Sequence, residues 1–168
     1  MSKRSFPPIQ TERIRLRLLE QRDLPLTLGW RNQEHIRRWF FHCEVIAFED
    51  HAAWFERYRE RDDEFVFLIE EAAPPHRPIG QASLYHIDWA EGRAEFGRLL
   101  IGEPHAAGKG LAREATQALV DAAFARLGLG EVYLEVLAAN ARAIRVYLAC
   151  GFRVKHDDGQ VVRMNRRG

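Results

Sequence analysis

The stretch that decides the fold reads Ala94-Glu95-Phe96-Gly97-Arg98-Leu99-Leu100-Ile101, followed after a short Gly/Pro turn by His105-Ala106-Ala107-Gly108-Lys109-Gly110. The first part has the apolar character of a strand, and the second is a small-residue loop that leads into a long amphipathic segment, residues 111–127. Such a loop directs several unpaired backbone N–H groups at one point, where the helix dipole also favours negative charge. The sequence therefore predicts that the backbone of residues 106–111 binds a diphosphate.

A second pattern lies downstream of this loop. A predicted strand, residues 132–136, is followed by Asn140-Ala141-Arg142-Ala143-Ile144-Arg145-Val146-Tyr147 and then by Gly151-Phe152. The spacing resembles that of the GNAT N-acetyltransferase superfamily. In that superfamily the cofactor loop reads Gln/Arg-x-x-Gly-x-Gly/Ala, and a later helix carries Asn-x-x-Ala-x-x-x-Tyr-x-x-x-Gly-Phe. The second motif matches here at every marked position, whereas the first departs at His105, where Gln or Arg is usual.

This resemblance implies an acyl-CoA N-acyltransferase fold and acetyl-CoA as cosubstrate, with no metal ion. In the superfamily the strand before the loop separates from its neighbour, and the pantetheine arm of the cofactor pairs with the exposed strand edge. By the same resemblance, Asn140 caps its helix and contacts the cofactor arm, and the hydroxyl of Tyr147 protonates the departing thiolate. The expected cofactor contacts are Arg98, Leu99, Leu100, His105, Ala106, Ala107, Gly108, Lys109, Gly110, Leu111, Asn140 and Tyr147.

The other segments complete an α/β pattern. Alternation predicts a strand at residues 14–18, and helices are expected from Asp23 as N-cap to about Trp30, at 34–41 and at 49–60. Residues 1–10 read as a loose arm. The element order β-α-α-α-β-β-β-α-β-α-β-β predicts a single GNAT domain over residues 1–168, with a mixed central sheet of about seven strands and helices on both faces.

Composition limits the classes of function. The chain has 168 residues, a formal net charge of +1 and two cysteines without metal-ligand spacing. A charge near zero argues against binding of nucleic acid through a broad basic surface. No apolar run is long enough to cross a bilayer, and residues 1–10 have no signal-peptide core. We therefore expect a cytoplasmic protein that acts on a small-molecule amine, without nucleic-acid or membrane partners; a homo-oligomer is compatible with this interpretation.

The proton acceptor is left open by the sequence. Attack on a thioester requires an uncharged amine, so a carboxylate or a water chain must remove a proton. Glu95 and Glu135 both lie on strands that flank the expected separation, and either could be the base. A plain exposed sheet face would explain these two charges equally well.

The acceptor amine is predicted from the N-terminal half. Residues 88–96 are similar to spermidine acetyltransferases, and the general layout is similar to ribosomal-protein N-terminal acetyltransferases. The sequence at residues 30–40 and 48–51 looks most like the acetyltransferases of pseudaminic acid synthesis, which modify a UDP-linked amino sugar. The excess of basic side chains in residues 31–42 also favours an anionic acceptor.

The sequence thus predicts acetylation of a UDP-linked deoxy amino sugar. Spermidine or a protein N terminus is the alternative acceptor, and a non-catalytic acyl-CoA-binding module is a second alternative. The expected acceptor contacts are Arg31, Phe40, Phe41, His51 and Trp54.

Overall fold

The computed structural model describes residues 3–168. Its strands are β1 (Ile9–Gln10), β2 (Ile14–Leu18), β3 (Phe65–Glu71), β4 (Pro78–Asp88), β5 (Arg93–Ile101), β6 (Glu131–Leu137), β7 (Arg153–Asp157) and β8 (Val161–Arg167). Its helices are α1 (Leu24–Arg31), α2 (Glu34–Arg37), α3 (Phe48–Glu60), α4 (Leu111–Leu127) and α5 (Ala141–Ala149). The strands form one mixed sheet in the order β1-β2-β3-β4-β5-β6-β8-β7.

Helices cover both faces of the sheet, and the alternation of β3 shows how. Val66 packs with Leu24 of α1 and Phe55 of α3 on one face. Phe65 and Phe67 belong to the core on the other face, together with α4. Successive side chains of a strand point to opposite faces, so a continuously apolar strand is buried from both sides. The predicted fold class is confirmed, with eight strands rather than about seven.

The sheet opens between β5 and β6. These parallel strands pair only at Arg93↔Glu131, Ala94↔Val132 and Glu95↔Tyr133. Beyond Glu95 they separate, whereas β5 stays paired with β4 as far as Ile101. The far half of β5 therefore offers a free backbone edge on the side of β6, as the superfamily resemblance led us to expect.

Two irregularities shape this region. Arg98 in β5 has a φ of 53°, beside a register shift between β4 and β5, and His86 in β4 has a φ of 50° at a second shift. Left-handed backbone is uncommon for residues other than glycine, and such residues often lie at functional sites. Both irregularities lie in β4 and β5, next to the opening.

Three local predictions need correction. Residues 1 and 2 of the predicted arm lie outside the described residues, and the rest is ordered: Ile9–Gln10 forms β1, and Phe6 is buried edge-to-face against Phe67. The helix expected at residues 34–41 ends at Arg37. Asp23 does not cap α1 through its side chain; its carboxylate accepts from Arg17 instead.

Candidate active site

A cavity of about 600 Å³ lies beside the separated strands. It is bordered by the free part of β5, by the loop before α4 and by the start of α5. Eight of the residues predicted to contact the cofactor line it: Leu99, Leu100, Ala106, Ala107, Gly108, Gly110, Leu111 and Asn140. The structure thus brings together segments that are up to about forty residues apart in the sequence.

The loop before α4 has the geometry of an anion-binding site. Gly108 and Gly110 have φ angles of 74° and 77°, which glycine adopts without strain. Within the described residues, the backbone N–H groups from Gly108 to Arg113 have no protein acceptor. A side-chain carbon placed on Gly108 would meet no atom within 4 Å, so space remains there for a ligand. These free donors at a helix N-terminus fit the pyrophosphate of coenzyme A.

The loop is held in place from the N-terminal strands. Nη1 of Arg13 donates to the carbonyl oxygen of Lys109 at 2.8 Å. Arg13 is in turn bound by Glu114 in the first turn of α4, with Nε and Oε1 2.8 Å apart. This chain of contacts fixes the backbone conformation before any ligand binds.

Four residues predicted to contact the cofactor do not line this cavity: Arg98, His105, Lys109 and Tyr147. His105 contacts Glu71 instead, with Nε2 and Oε1 2.9 Å apart. The Arg98 side chain is bound to the buried carboxylate of Glu64. Basic side chains do line the cavity at Arg113 and Arg142, which sequence reasoning missed although both lie close to the two motif segments.

Asn140 caps its helix as predicted. Its Oδ1 accepts a hydrogen bond from the N–H of Ala143 at 3.2 Å, which caps α5. The cap fixes the start of the helix that carries Tyr147. Asn140 also lines the cavity.

Tyr147 lies at the point where the strands separate. Its ring packs edge-to-face on Phe96, the first residue of β5 beyond the last pair with β6, with ring centres 6.0 Å apart. Phe152 packs on it at the same distance. The side chain is buried, and burial raises the pKa of its hydroxyl, so this group keeps its proton at neutral pH.

A second cavity of about 640 Å³ lies between α1, α3 and the open face of β4, β5 and β6. All five predicted acceptor contacts line it: Arg31, Phe40, Phe41, His51 and Trp54. Both candidate bases, Glu95 and Glu135, line it too. Phe40 borders both cavities, so the cofactor side and the acceptor side adjoin at this side chain.

The charges of this acceptor cavity differ from those expected. Three carboxylates line it, Asp50, Glu95 and Glu135, against the guanidinium groups of Arg31 and Arg98. The Arg98 side chain is already bound to Glu64. The cavity is therefore acidic on balance.

Of the five basic side chains in the segment that favoured an anionic acceptor, only Arg31 and His42 line the acceptor cavity. Arg37 donates to the carbonyl oxygen of Cys43 at 2.8 Å, and Arg38 lies over the Trp39 ring. Neither arginine lines the acceptor cavity, and His35 lines the cofactor cavity. The charge argument for an anionic acceptor is therefore not supported, because three of the five basic side chains that it counted lie outside the acceptor cavity.

Arg31 and His51 each pack on an aromatic ring in the wall of the acceptor cavity. The guanidinium of Arg31 is buried over the Phe40 ring, 4.3 Å from its centre, and donates to the carbonyl oxygen of His42. His51 stacks on Trp54 at 5.2 Å. Burial, reinforced by the charge of Arg31, lowers the pKa of His51, so this imidazole is neutral at neutral pH.

Two residues that sequence reasoning missed bind Glu95. The hydroxyl of Tyr85 donates to its Oε2 at 2.8 Å, and Nδ1 of His86 lies 3.0 Å from its Oε1. Strand alternation could have revealed Tyr85, since it shares a face with Gln81, which also lines the cavity. No sequence signal indicates His86, because regular alternation would point it to the opposite face.

Comparisons with known proteins agree with this geometry. The family model described as an acetyltransferase (GNAT) domain matches residues 13–153. The spermidine N(1)-acetyltransferase of Vibrio cholerae is 30% identical over 139 residues, which cover 83% of this chain and 78% of that protein. The crystal structure of a Vibrio cholerae spermidine N-acetyltransferase with CoA and spermine has a TM-score of 0.84 and 27% identity, and the match covers 94% of this chain and 96% of that one. A dodecameric structure of the Vibrio cholerae enzyme has a TM-score of 0.75 and 25% identity, over 94% and 95% of the two chains.

The fold and the two adjoining cavities are those of an acyl-CoA-dependent N-acyltransferase. The chain belongs to the GNAT acetyltransferase family, and its cosubstrate is acetyl-CoA.

Residues 3–168 contain neither a metal-ligand cluster nor a membrane-spanning helix. Among these residues, no group of three or more His, Cys, Asp or Glu side chains is arranged to hold a metal ion. No helix within the same range has the length and apolar character needed to span a membrane.

Proposed function

We propose that this acetyltransferase transfers the acetyl group of acetyl-CoA to a primary amine of a polyamine such as spermidine. The observation that carries this proposal is the lining of the acceptor cavity by Asp50, Glu95 and Glu135. Polyamines are cations with several ammonium groups, and carboxylates are the side chains that bind such groups by charge-assisted hydrogen bonds. The similarity to spermidine N(1)-acetyltransferases supports the same acceptor class.

The cofactor would lie with its pyrophosphate on the free N–H groups that follow Gly108 and its pantetheine arm along the open edge of β5. Acetyl-CoA supplies the activated acyl group. The chain's own part is to hold the thioester where β5 and β6 separate, and this placement is supported by the absence of strand pairing beyond Glu95. Backbone N–H groups on that edge would also be available to bind the negative oxygen that forms during attack.

The acceptor would enter from the α3 side and present one amine to the thioester. Its ammonium group would first bind among the carboxylates and lose a proton to one of them. The neutral amine would then attack the acyl carbon, so that a C–N bond forms and the C–S bond breaks. The hydroxyl of Tyr147, beside the opening of the sheet, would protonate the departing thiolate.

Phe40 would act as a partition between the two ligands. It borders both cavities, and the guanidinium of Arg31 packs over its ring. An apolar wall at this point would exclude water from the thioester, which limits hydrolysis of acetyl-CoA.

The nucleotide-sugar acceptor predicted from the sequence is not supported by the similar proteins named above, which are spermidine acetyltransferases. The acidic balance of the cavity points in the same direction, because a nucleotide diphosphate would meet three carboxylates. A thiol-release assay with acetyl-CoA tests the assignment. Spermidine and spermine should release thiol well above background, whereas release only with peptides or amino sugars would contradict the proposed acceptor.

The quaternary structure is proposed on the same basis. The dodecameric Vibrio cholerae enzyme supports a homo-oligomer for this chain as well. Light scattering coupled to gel filtration should give a mass several times that of the 19.5 kDa chain, and a mass of one chain would contradict it.

A further inference from the structure

We propose that Tyr85 and His86 are positioning residues that hold Glu95 as the binding group for the acceptor's ammonium, and that Glu135 is the residue that removes its proton. This inference rests on the proposed function, because it divides two tasks between the two carboxylates of the acceptor cavity. It assigns a role to each of them, which the sequence left open.

Both oxygens of Glu95 already have a protein donor. Oε2 accepts from the Tyr85 hydroxyl at 2.8 Å. Oε1 lies 3.0 Å from Nδ1 of His86, and since an ionised carboxylate can only accept, the proton of this contact is on Nδ1. The Glu95 side chain is only 16% exposed. These two donors hold the carboxylate in one orientation and leave about two of its four acceptor sites for an ammonium, so the arrangement suits a fixed binding group better than a group that exchanges a proton in every turnover.

The two donors are placed by unusual backbone features. His86 reaches Glu95 because its φ of 50° lies at a register shift in β4, where the N–H of Ile87 bonds to the carbonyl oxygen of Asp63 at 3.1 Å. Tyr85 reaches Glu95 across Gly97. A side-chain carbon at Gly97 would lie only 2.6 Å from the Tyr85 hydroxyl. Left-handed backbone is strained at a residue other than glycine, and such strain is found where the contact that it makes possible has a function.

The carboxylate of Glu135, unlike that of Glu95, has no donor among residues 3–168. It lies on β6 beyond the last pair with β5 and is exposed, and its side chain has no hydrogen-bond or ion-pair partner within the described part of the chain, although Arg163 is its cross-strand neighbour on β8. It nevertheless lines the same cavity as Glu95. A carboxylate without a donor can accept a proton from the amine and pass it to water without breaking a protein contact.

Protons and electrons balance in this step. The bound ammonium gives one proton to a Glu135 oxygen, and its nitrogen lone pair forms the C–N bond. The electrons of the C–S bond leave with sulfur, which is protonated as CoA departs. Glu135 then releases its proton to solvent, and Glu95 stays ionised throughout.

The test separates binding of the acceptor from its turnover. The dissociation constant of spermidine would be measured by calorimetry with CoA bound, and kcat would be measured with saturating acetyl-CoA and spermidine. Glu95→Gln should raise the dissociation constant roughly tenfold, the loss expected for one charge-assisted contact, with a smaller effect on kcat. Glu135→Gln should lower kcat by roughly a hundredfold or more, as for loss of a general base, with a smaller effect on binding. The reverse order of these effects would overturn the inference.

The positioning role of His86 has its own comparison. Glycine and asparagine both tolerate the left-handed backbone there, but only asparagine offers an N–H near the position of Nδ1. His86→Gly should therefore weaken spermidine binding several-fold, and His86→Asn should restore it. Equal binding by the two variants would remove His86 from this role.

Failure of the proposed function would look different from failure of this inference. If the wild-type protein acetylated no polyamine, the acceptor class would be wrong, and the same four variants would be compared with whichever amine the wild type acetylates. If the wild type acetylated spermidine but Glu135→Gln retained full kcat, the division between the two carboxylates would be wrong while the acceptor class stood.

Discussion

Gly97 and Tyr85 lie on neighbouring strands, β5 and β4, in a contact that leaves no room for a side chain at residue 97. A carbon added to Gly97 would lie 2.6 Å from the Tyr85 hydroxyl, well inside van der Waals contact. The same hydroxyl donates to Glu95, which is the cross-strand partner of Tyr85. Residue 97, in the middle of β5, is therefore glycine because the Tyr85 hydroxyl that donates to Glu95 occupies the space of a side chain there.

Gly97→Ala should displace the Tyr85 hydroxyl and break its bond to Glu95. We expect the KM for the acceptor amine to rise several-fold, because one neutral donor to a charged group is lost, while the KM for acetyl-CoA stays nearly constant. Steady-state kinetics with each substrate varied in turn checks this. An unchanged KM for the acceptor would contradict it, since the atoms closest to a side chain at Gly97 all belong to Tyr85.

The cofactor loop gives a prediction with a matched control. Gly108 lies in the loop before α4 and Gly128 directly follows the helix, and both have positive φ and open space around an added side-chain carbon. Alanine at either position should cost a similar amount of stability, roughly 1 kcal/mol, because of the left-handed backbone. Only Gly108→Ala should weaken CoA binding, by about tenfold or more. Calorimetry with CoA and thermal melts of both variants would decide, and equal CoA affinities would exclude Gly108 from the cofactor site.

Tyr147→Phe tests the proposed acid. Its kcat should fall by roughly ten- to ten-thousand-fold, with CoA affinity almost unchanged, because the ring still packs on Phe96. Burial raises the pKa of Tyr147, so its hydroxyl should contribute no alkaline limb to the pH–rate profile below pH ~10. Near wild-type turnover in the variant would remove Tyr147 from the mechanism.

Asp50 and its neighbour Glu49 provide a further matched pair. Both are acidic residues in the first turn of α3, but only Asp50 lines the acceptor cavity. Asp50→Asn should raise the KM for spermidine several-fold, whereas Glu49→Gln should leave it unchanged. Because both changes remove one negative charge from the same helix turn, a similar rise in both variants would show a general charge effect rather than a contact.

His51 should make stability depend on pH in a defined window. Burial and the nearby Arg31 lower its pKa in the folded state, whereas in the unfolded chain it titrates near 6.5. The unfolded chain thus binds the proton more readily, so the contribution of neutral His51 is complete above pH ~6.5 and is lost as the pH falls through the lower folded value. Glu114 and Asp63, whose pKa values are also lowered, lose their contributions only below their usual values of about 4.

The melting temperature should therefore fall between pH 7 and pH 5 in the wild type, and this fall should be smaller in His51→Asn. Differential scanning calorimetry at a series of pH values provides the measurement. The exposed His35 is a suitable control, and His35→Asn should follow the wild-type curve. If the melting temperatures of wild type and His51→Asn fell equally with pH, His51 would not be the cause of the pH dependence.

The parts of the site that the sequence predicted are those set by local backbone requirements. Gly108 and Gly110 predicted a left-handed loop before a helix, and Asn140 predicted a helix cap. Both features depend only on neighbouring residues, and both are present in the structure. The bounds of α4, Leu111–Leu127, were predicted for the same reason, since glycines stand at both ends.

The parts that were missed depend on contacts between distant segments. The segment that follows α2 is held by side chains at the end of α1: Arg31 donates to the carbonyl oxygen of His42, and the Asn32 side chain pairs with the backbone of Ile46. Such contacts leave no periodic pattern in the sequence. His86 was missed because its orientation follows from a register shift between β4 and β5, which requires knowledge of both strands.

A competition experiment decides which class of amine this acetyltransferase uses. The wild-type protein would be given limiting acetyl-CoA with equal concentrations of spermidine, a peptide with a free N terminus and a UDP-linked amino sugar, and the acetylated products would be counted by mass spectrometry. The product ratio equals the ratio of kcat/KM values, so it measures specificity without separate assays. We predict that N-acetylspermidine predominates and that added UDP does not change its yield. Predominance of the acetylated sugar or peptide, or inhibition by UDP, would contradict a polyamine acceptor.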